Sequence, residues 1–167
     1  MPIMPLFRPV IATTLLLTLV ACSGSEKPAD ESPGATSTTV DLMAVGEQKY
    51  AQVCASCHMP NGLGQEGNIP PLAGSEWVLG DPRVPISIAL HGLQGPITVQ
   101  GKGYDAMMQP WGMLPDADLA AVVTYVRASW GNNASPVTAE QVAELRASAG
   151  ARAAWTADEL TQAYGGK

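Results

Sequence analysis

The sequence predicts a small, mainly α-helical domain with a helical extension at its C-terminal end. Three observations carry this. Leu42, Val45, Gly46, Lys49, Tyr50 and Val53 recur at helical spacing. Leu119, Val122, Val123 and Val126 do the same over about residues 116–129. Thr138 with Gln141, and Thr156 with Glu159, each have the spacing of a capping box, so two more helices are expected after the second stripe. No internal repeat or strand-rich region interrupts the pattern.

Residues 1–21 read as an export signal. Arg8 is their one charge, and the apolar run from Val10 to Val20 is too short to span a bilayer comfortably. The run ends in "LVAC", Leu19 to Cys22, which resembles the bacterial lipoprotein signal. That resemblance implies a lipidated Cys22 as the mature N-terminus. A plain signal peptide cut near Ala21 is the simpler alternative, and the polar linker that follows favours lipidation. Ser23 stands where an aspartate is associated with inner-membrane retention, so the outer membrane is favoured. Residues 22–40 are rich in Ser, Thr, Pro, Gly and Ala and carry no apolar periodicity. They read as a flexible tether, which as a coil would span on the order of 25 Å. Two or more acyl chains would suffice for a stable membrane anchor.

Formal net charge is −6 over 167 residues, and loss of residues 1–21 removes only Arg8, making the chain more negative. A nucleic-acid partner needs a basic face and is excluded. A redox protein with a basic docking patch is permitted. Aromatic residues make up only 5% of the chain, so a domain this small has little core of its own, and something bulky is expected to supply the rest.

The domain itself is expected over residues 41–131. Its first helix runs into Cys54, with Lys49 the one break in the stripe. The stem of Lys49 can lie along the face while the amine stays wet. After His58, "MPNGLGQEGNIPPLAGS" is rich in Gly and Pro and must be loop. Ile86, Ala89, Leu90 and Leu93 mark a short helix, with Pro85 near its first turn and Gly92 or Gly95 closing it. Ile97 and Val99 alternate with polar residues before "GKG", which points to a small hairpin. The second strong helix follows, with Gly131 expected to end it. Residues 132–167 form the extension, wrapped around the domain.

The chemistry sits in "CASCH", Cys54 to His58. Cys-x-x-Cys-His is the attachment signature of c-type haem. The two thiols add across the two vinyl groups, and the following histidine comes under the iron. A structural zinc site would need four ligands, commonly a second cysteine pair, and none exists. A thioredoxin-like pair needs a βαβ setting, and the surroundings here are helix and loop. A simple disulfide would not need the histidine. Covalent haem also explains the sparse aromatic content. His58 would bind iron through one ring nitrogen and needs an acceptor for the other. The "IPPL" stretch can provide a backbone carbonyl there.

With these residues in place, roughly residues 41–131 resemble a class I mono-haem c-type cytochrome. "PPLAGSEWV", "LHGLQGPITVQGKGYDAMMQPWG" and "LAAVVTYVRASWGN" resemble in particular the cytochromes and cytochrome domains associated with periplasmic dehydrogenases and bacterial respiratory chains. Residues 132–167 also resemble the tail of that group. The resemblance implies a small cytochrome c fold around one covalent haem. It implies that Gly46 lets the first helix cross the last closely, with Tyr50 on the first helix and Val122 and Tyr125 on the second at the contact. It places Pro70 as the carbonyl partner of His58, with Pro71 the near alternative, and Leu72 against the haem. Among Met107, Met108 and Met113 it makes Met108 the second iron ligand, because "MQPW" fits the family frame without a slip. Two departures stand out. Ser87 replaces an arginine that would partner a haem propionate, and Arg83 is the nearest substitute. Pro115 replaces the serine that would cap the last helix.

The remaining candidates have bland alternatives. His91 can be read as a sixth ligand, a propionate partner or a surface residue, and the downstream methionines weigh against the first. Trp77 and Trp111 can line the haem edge or simply pack. Tyr50 and Tyr125 read as helix-crossing core rather than redox relays. The expected function is one-electron transfer between periplasmic or membrane redox partners, with His58 and Met108 on the iron, in a protein that is not an enzyme. A cytochrome subunit fixed in a dehydrogenase complex is the alternative. A haem peroxidase or nitrite-reducing site ranks lower, because no distal His/Arg pair is present.

Overall fold

The computed structural model describes residues 37–165. The expected export signal, Cys22 and the tether as far as residue 36 lie outside the described residues. In chain order the elements are α1 (Ser37–Val53), α2 (Ala55–His58), α3 (Glu76–Leu79), α4 (Arg83–His91), β1 (Ile97–Val99), β2 (Lys102–Tyr104), α5 (Asp116–Ala128), α6 (Ala139–Ala149) and α7 (Ala157–Tyr164). The domain is mainly α-helical, as expected. Helix α1 begins at Ser37 rather than near Asp41. Among the described residues, no helix is long and apolar enough to cross a membrane.

Helices α1 and α5 cross at Gly46. A Cβ there would fall well inside contact distance of the Ala121 carbonyl oxygen and 2.7 Å from the Tyr125 Cβ. Only glycine lets the two backbones come this close. Tyr50 and Tyr125 face each other beside the crossing, ring centroids 5.5 Å apart, and Trp130 packs on both. Val122, expected among these contacts, also lines the cleft described below, and Ala121 supplies the nearest approach to Gly46. Lys49 completes the crossing by pairing with Asp118 at 2.6 Å.

Helix α5 stops at Ala128, earlier than Gly131. Ser129 is already extended, and Trp130 takes a positive φ of 55°. That turn brings its indole onto the tyrosines and its Nε1–H to the Pro60 carbonyl at 3.1 Å. Helix α4 is closed by Gly92, at φ 81°. The hairpin pairs Ile97 with Tyr104 and Val99 with Lys102. Its turn, Gln100–Gly101, has positive φ at both residues, which matches the twist of a two-residue hairpin. Both expected capping boxes are present, opening α6 and α7.

The core forms two clusters. Tyr50, Ile86, Leu90, Leu119 and Val123 centre the first, and Trp77, Val84, Leu93, Val99 and Tyr104 the second. The extension feeds both, through Val137 and Val142 in the first and Trp155 and Leu160 in the second. Arg127, 3% exposed, donates to the carbonyls of Val78, Gly80 and Ser135. It thereby joins the end of α3 to the start of the extension.

Candidate functional site

The motif Cys54–His58 is wound into a helical turn. The Cys54 amide donates to Tyr50, and the His58 amide donates to Cys54. Helix α2 then ends at Met59, a non-glycine residue at φ 63°. The Tyr50 hydroxyl donates to the Met59 carbonyl at 2.6 Å and holds that bend. Cys54 is half-buried and Cys57 exposed. Burial, with Cys57 beside it, pushes the Cys54 thiol up to about 11. A redox-active thiolate pair needs the opposite shift.

His58 is 7% exposed. Its Nδ1 lies 3.2 Å from the Pro70 carbonyl oxygen, which can only accept. Nδ1 therefore carries the hydrogen, and Nε2 keeps its lone pair. Burial lowers the His58 pKa, opposed only in part by this hydrogen bond, so the ring is neutral and able to ligate. The carbonyl belongs to Pro70 and not Pro71. Gly64 makes this possible, because a Cβ at that position would strike the carbonyls of Ile69 and Pro70. The Gln65–Ile69 bridge, 2.8 Å in both directions, fixes the same loop.

One apolar cleft lies beside this histidine. Cys54, His58, Leu72, Trp77 and Met108 are in its walls, with Val122, Val123 and Val126 from α5. Apart from Cys54, His58 and Ser75, every wall residue is Pro, Ala, Leu, Ile, Val, Trp or Met. The cleft, mouth included, encloses about 730 Å³. A neutral imidazole with a free lone pair, a thioether and a thiol thus meet one large hydrocarbon-lined space. That donor set and lining fit a flat apolar macrocycle carrying an iron atom.

The three methionines are sorted by exposure. Met108 is half-buried in the cleft wall, whereas Met107 is 75% and Met113 82% exposed. Trp77 lines the cleft and donates its indole N–H to Thr98 at 2.8 Å. Trp111 is outside the lining. His91 is outside it too, at the end of α4, where burial and then the charges of Arg152 and Arg146 lower its pKa. Arg83 and Ser87 are engaged elsewhere. Arg83 pairs with Asp81 and sits over the Tyr164 ring, and the buried Ser87 hydroxyl lies 2.9 Å from the Tyr164 hydroxyl. Both residues are committed to α7.

A model of the cytochrome c family matches residues 43–130. The chain belongs to the cytochrome c family. Cytochrome c-552 of Thermus thermophilus is 40% identical over 113 residues, which is 62% of this chain and 86% of that protein. The cytochrome c subunit of the quinone alcohol dehydrogenase of Gluconobacter oxydans is 36% identical over 60% of this chain but only 22% of that subunit. The gluconate 2-dehydrogenase cytochrome c subunit of Pantoea cypripedii is 36% identical over 75% of this chain and 27% of its own length. This cytochrome binds haem c covalently and transfers electrons.

Several residues that shape its site carried no signal in the sequence. Asn132 is 5% exposed and binds three backbone groups. Its Oδ1 accepts from Gly74 at 2.7 Å, and its Nδ2 donates to Leu72 and Val126 at 3.1 and 2.7 Å. It thereby pins the loop that carries Leu72 to the end of α5. Arg146 of the extension acts similarly on the end of the Met108 loop, and Trp155 on the Gly92–Gln94 segment that pairs with Met108.

Proposed function

We propose that the cytochrome is a one-electron carrier whose iron is held by His58 and Met108, anchored by a lipid on Cys22 to the outer side of a bacterial membrane. The observation that carries the ligand assignment is that His58 and Met108 both line the hydrocarbon cleft beside Cys54. Haem c supplies the redox-active iron there. Cys54 and Cys57 would hold the macrocycle, Pro70 fixes the His58 tautomer, and Leu72 of the cleft wall would lie against the ring. A thioether and an imidazole together on the iron would favour the ferrous state relative to two nitrogens. Two protein ligands leave no open position for a substrate, so the chain carries electrons and does not catalyse a reaction of its own.

The anchor rests on "LVAC" followed by a polar linker. The export it implies suits haem attachment outside the cytoplasm, and Ser23 favours the outer membrane. Partners are redox proteins, one donor and one acceptor, with docking faces that tolerate a mature chain more negative than the −6 of the full sequence. A second reading is a subunit fixed in a dehydrogenase complex, supported by the relatives that are dehydrogenase cytochrome subunits. Co-purification with a dehydrogenase would select it over the free carrier.

The ligand test is spectroscopic. Met108→Ala should remove the weak sulfur-to-iron absorption of the ferric protein and lower its potential. Met107→Ala should preserve both. Loss only in His91→Ala would overturn the His58–Met108 pair.

A further inference from the structure

The segment that carries Met108 is tied at one end to Leu93, whose far edge the C-terminal extension covers, and at the other end to the extension itself. At one end Leu93 and Met108 exchange both backbone hydrogen bonds, 3.1 and 2.8 Å. The other edge of the Leu93 segment is taken by Trp155, which donates to Gly92 at 3.0 Å and accepts from Gln94 at 2.8 Å. Leu93 is thus the middle of three short strands, antiparallel to Met108 and parallel to Trp155. Gly92 keeps this layer tight, since a Cβ there would strike the Met108 carbonyl and lie 3.2 Å from the Pro110 nitrogen.

At the other end stands Arg146 of α6. Its guanidinium donates to the carbonyl of Gly112, to that of Leu114 at 2.8 Å, and to Asp116 Oδ1 at 2.8 Å. One planar fork therefore holds both the end of the methionine loop and the first residue of α5. Such charge-assisted bonds are the stronger kind, and this side chain is only about one-third exposed. Between the two fastenings the loop has one further tie, from the Trp111 amide to the Ala89 carbonyl at 2.8 Å.

We propose that Arg146 and Trp155 are positioning residues for Met108, and that the extension sets how often its sulfur leaves the iron. A thioether is a weak ligand and is kept by the geometry of its loop. A loop free at its Gly112 end would swing Met108 out of the wall without disturbing α1 or α5. With Arg146 in place, release of Met108 requires Gly112, Leu114 and α6 to separate first. The proposal rests on Met108 being an iron ligand, and its test keeps the two apart.

The test uses the full-length ferric holoprotein and measures the rate at which imidazole binds the iron, with the sulfur-to-iron absorption recorded alongside. Met108→Ala reports on the ligand assignment itself. If it takes imidazole no faster than the parent protein, the assignment fails. If it is much faster, the assignment stands and Arg146 can be judged. Arg146→Gln should then take imidazole about tenfold faster, as expected when a locally opened state gains about 1.4 kcal/mol in relative stability. Arg146→Lys, which keeps the charge but loses the fork, should fall between. Thr138→Ala removes the cap of α6 without touching the loop, and should stay within about twofold of the parent. Equal acceleration in Arg146→Gln and Thr138→Ala would overturn the positioning role of Arg146, because its bonds to the loop would then matter no more than any other support of α6. Unchanged imidazole binding in Arg146→Gln would overturn it as well. Should Arg146→Gln fail to fold, hydrogen exchange on the parent holoprotein decides. The Met108 and Leu114 amides should be protected together with those of α6, and a Met108 amide that exchanges freely while α6 stays protected would refute the coupling.

Discussion

The His58 imidazole and the Pro70 carbonyl form a donor–acceptor pair at 3.2 Å, set in place by the close approach of Gly64 to the Pro70 backbone. Such a bond raises the electron density of the ligating ring. Gly64 also holds a positive φ of 65°, which a β-carbon disfavours. Gly64→Ala should therefore push the carbonyl away from Nδ1. A less electron-rich histidine stabilises the ferric state less, so the potential should rise. Pro70→Ala keeps the carbonyl and should shift the potential much less. Voltammetry of the two variants checks this, and equal shifts would count against it.

The crossing at Gly46 predicts a stability effect with two opposing parts. Alanine gains up to about 1 kcal/mol over glycine inside a helix. Against this, the new methyl meets a backbone carbonyl at Ala121, which cannot rotate away. Overpacking of that kind costs about 1–3 kcal/mol and should win. Gly46→Ala is expected to unfold at lower denaturant with an unchanged slope. Gly131, by contrast, has open space around its Cβ position but a φ of 87°, so a cost at that site would come from backbone strain alone.

Asn132 should be among the more costly small substitutions. Asn132→Ala leaves the Gly74 amide and the carbonyls of Leu72 and Val126 without their present partner, and a buried unsatisfied group costs about 1–3 kcal/mol. Asn132→Asp restores an acceptor for Gly74 but faces two carbonyls with a carboxylate. Thermal unfolding should rank the parent above Asn132→Ala, with Asn132→Asp no better than Asn132→Ala.

The anchor can be read by fractionation. Cys22→Ser should move the protein from the membrane pellet to the soluble periplasmic fraction. Retention in the pellet, with no lipid mass found on the N-terminal peptide, would remove the lipoprotein assignment.

What could be read beforehand follows from how signals are written in a chain. The stripes of α1 and α5 repeat every three or four residues, and Thr138 and Thr156 cap within one turn, so all four helices were visible. Helices α2 and α3 are single turns, too short to show a period. Cys54, Cys57 and His58 stood out because their chemistry depends on adjacency. The Pro70 partner and the Met108 frame came from resemblance, and their surroundings did not. Arg127, Asn132 and Arg146 act by reaching backbone carbonyls far away in sequence, and a carbonyl has no letter in the sequence. Arg83 reads as the substitute for the propionate arginine that Ser87 replaces, yet α7 uses both residues through Tyr164.

The Ser87–Tyr164 bond joins residues 77 apart. Contacts of such span slow the conformational search far more than they burden the equilibrium, since each doubling of a loop costs only about 0.6 kcal/mol. The tail that makes this contact docks on α4, so its bonds can form only once α4 is in place. Interactions formed after the folding barrier leave the forward rate alone and retard escape from the native state. The tail of this cytochrome therefore lengthens the lifetime of the folded molecule more than it hastens its formation.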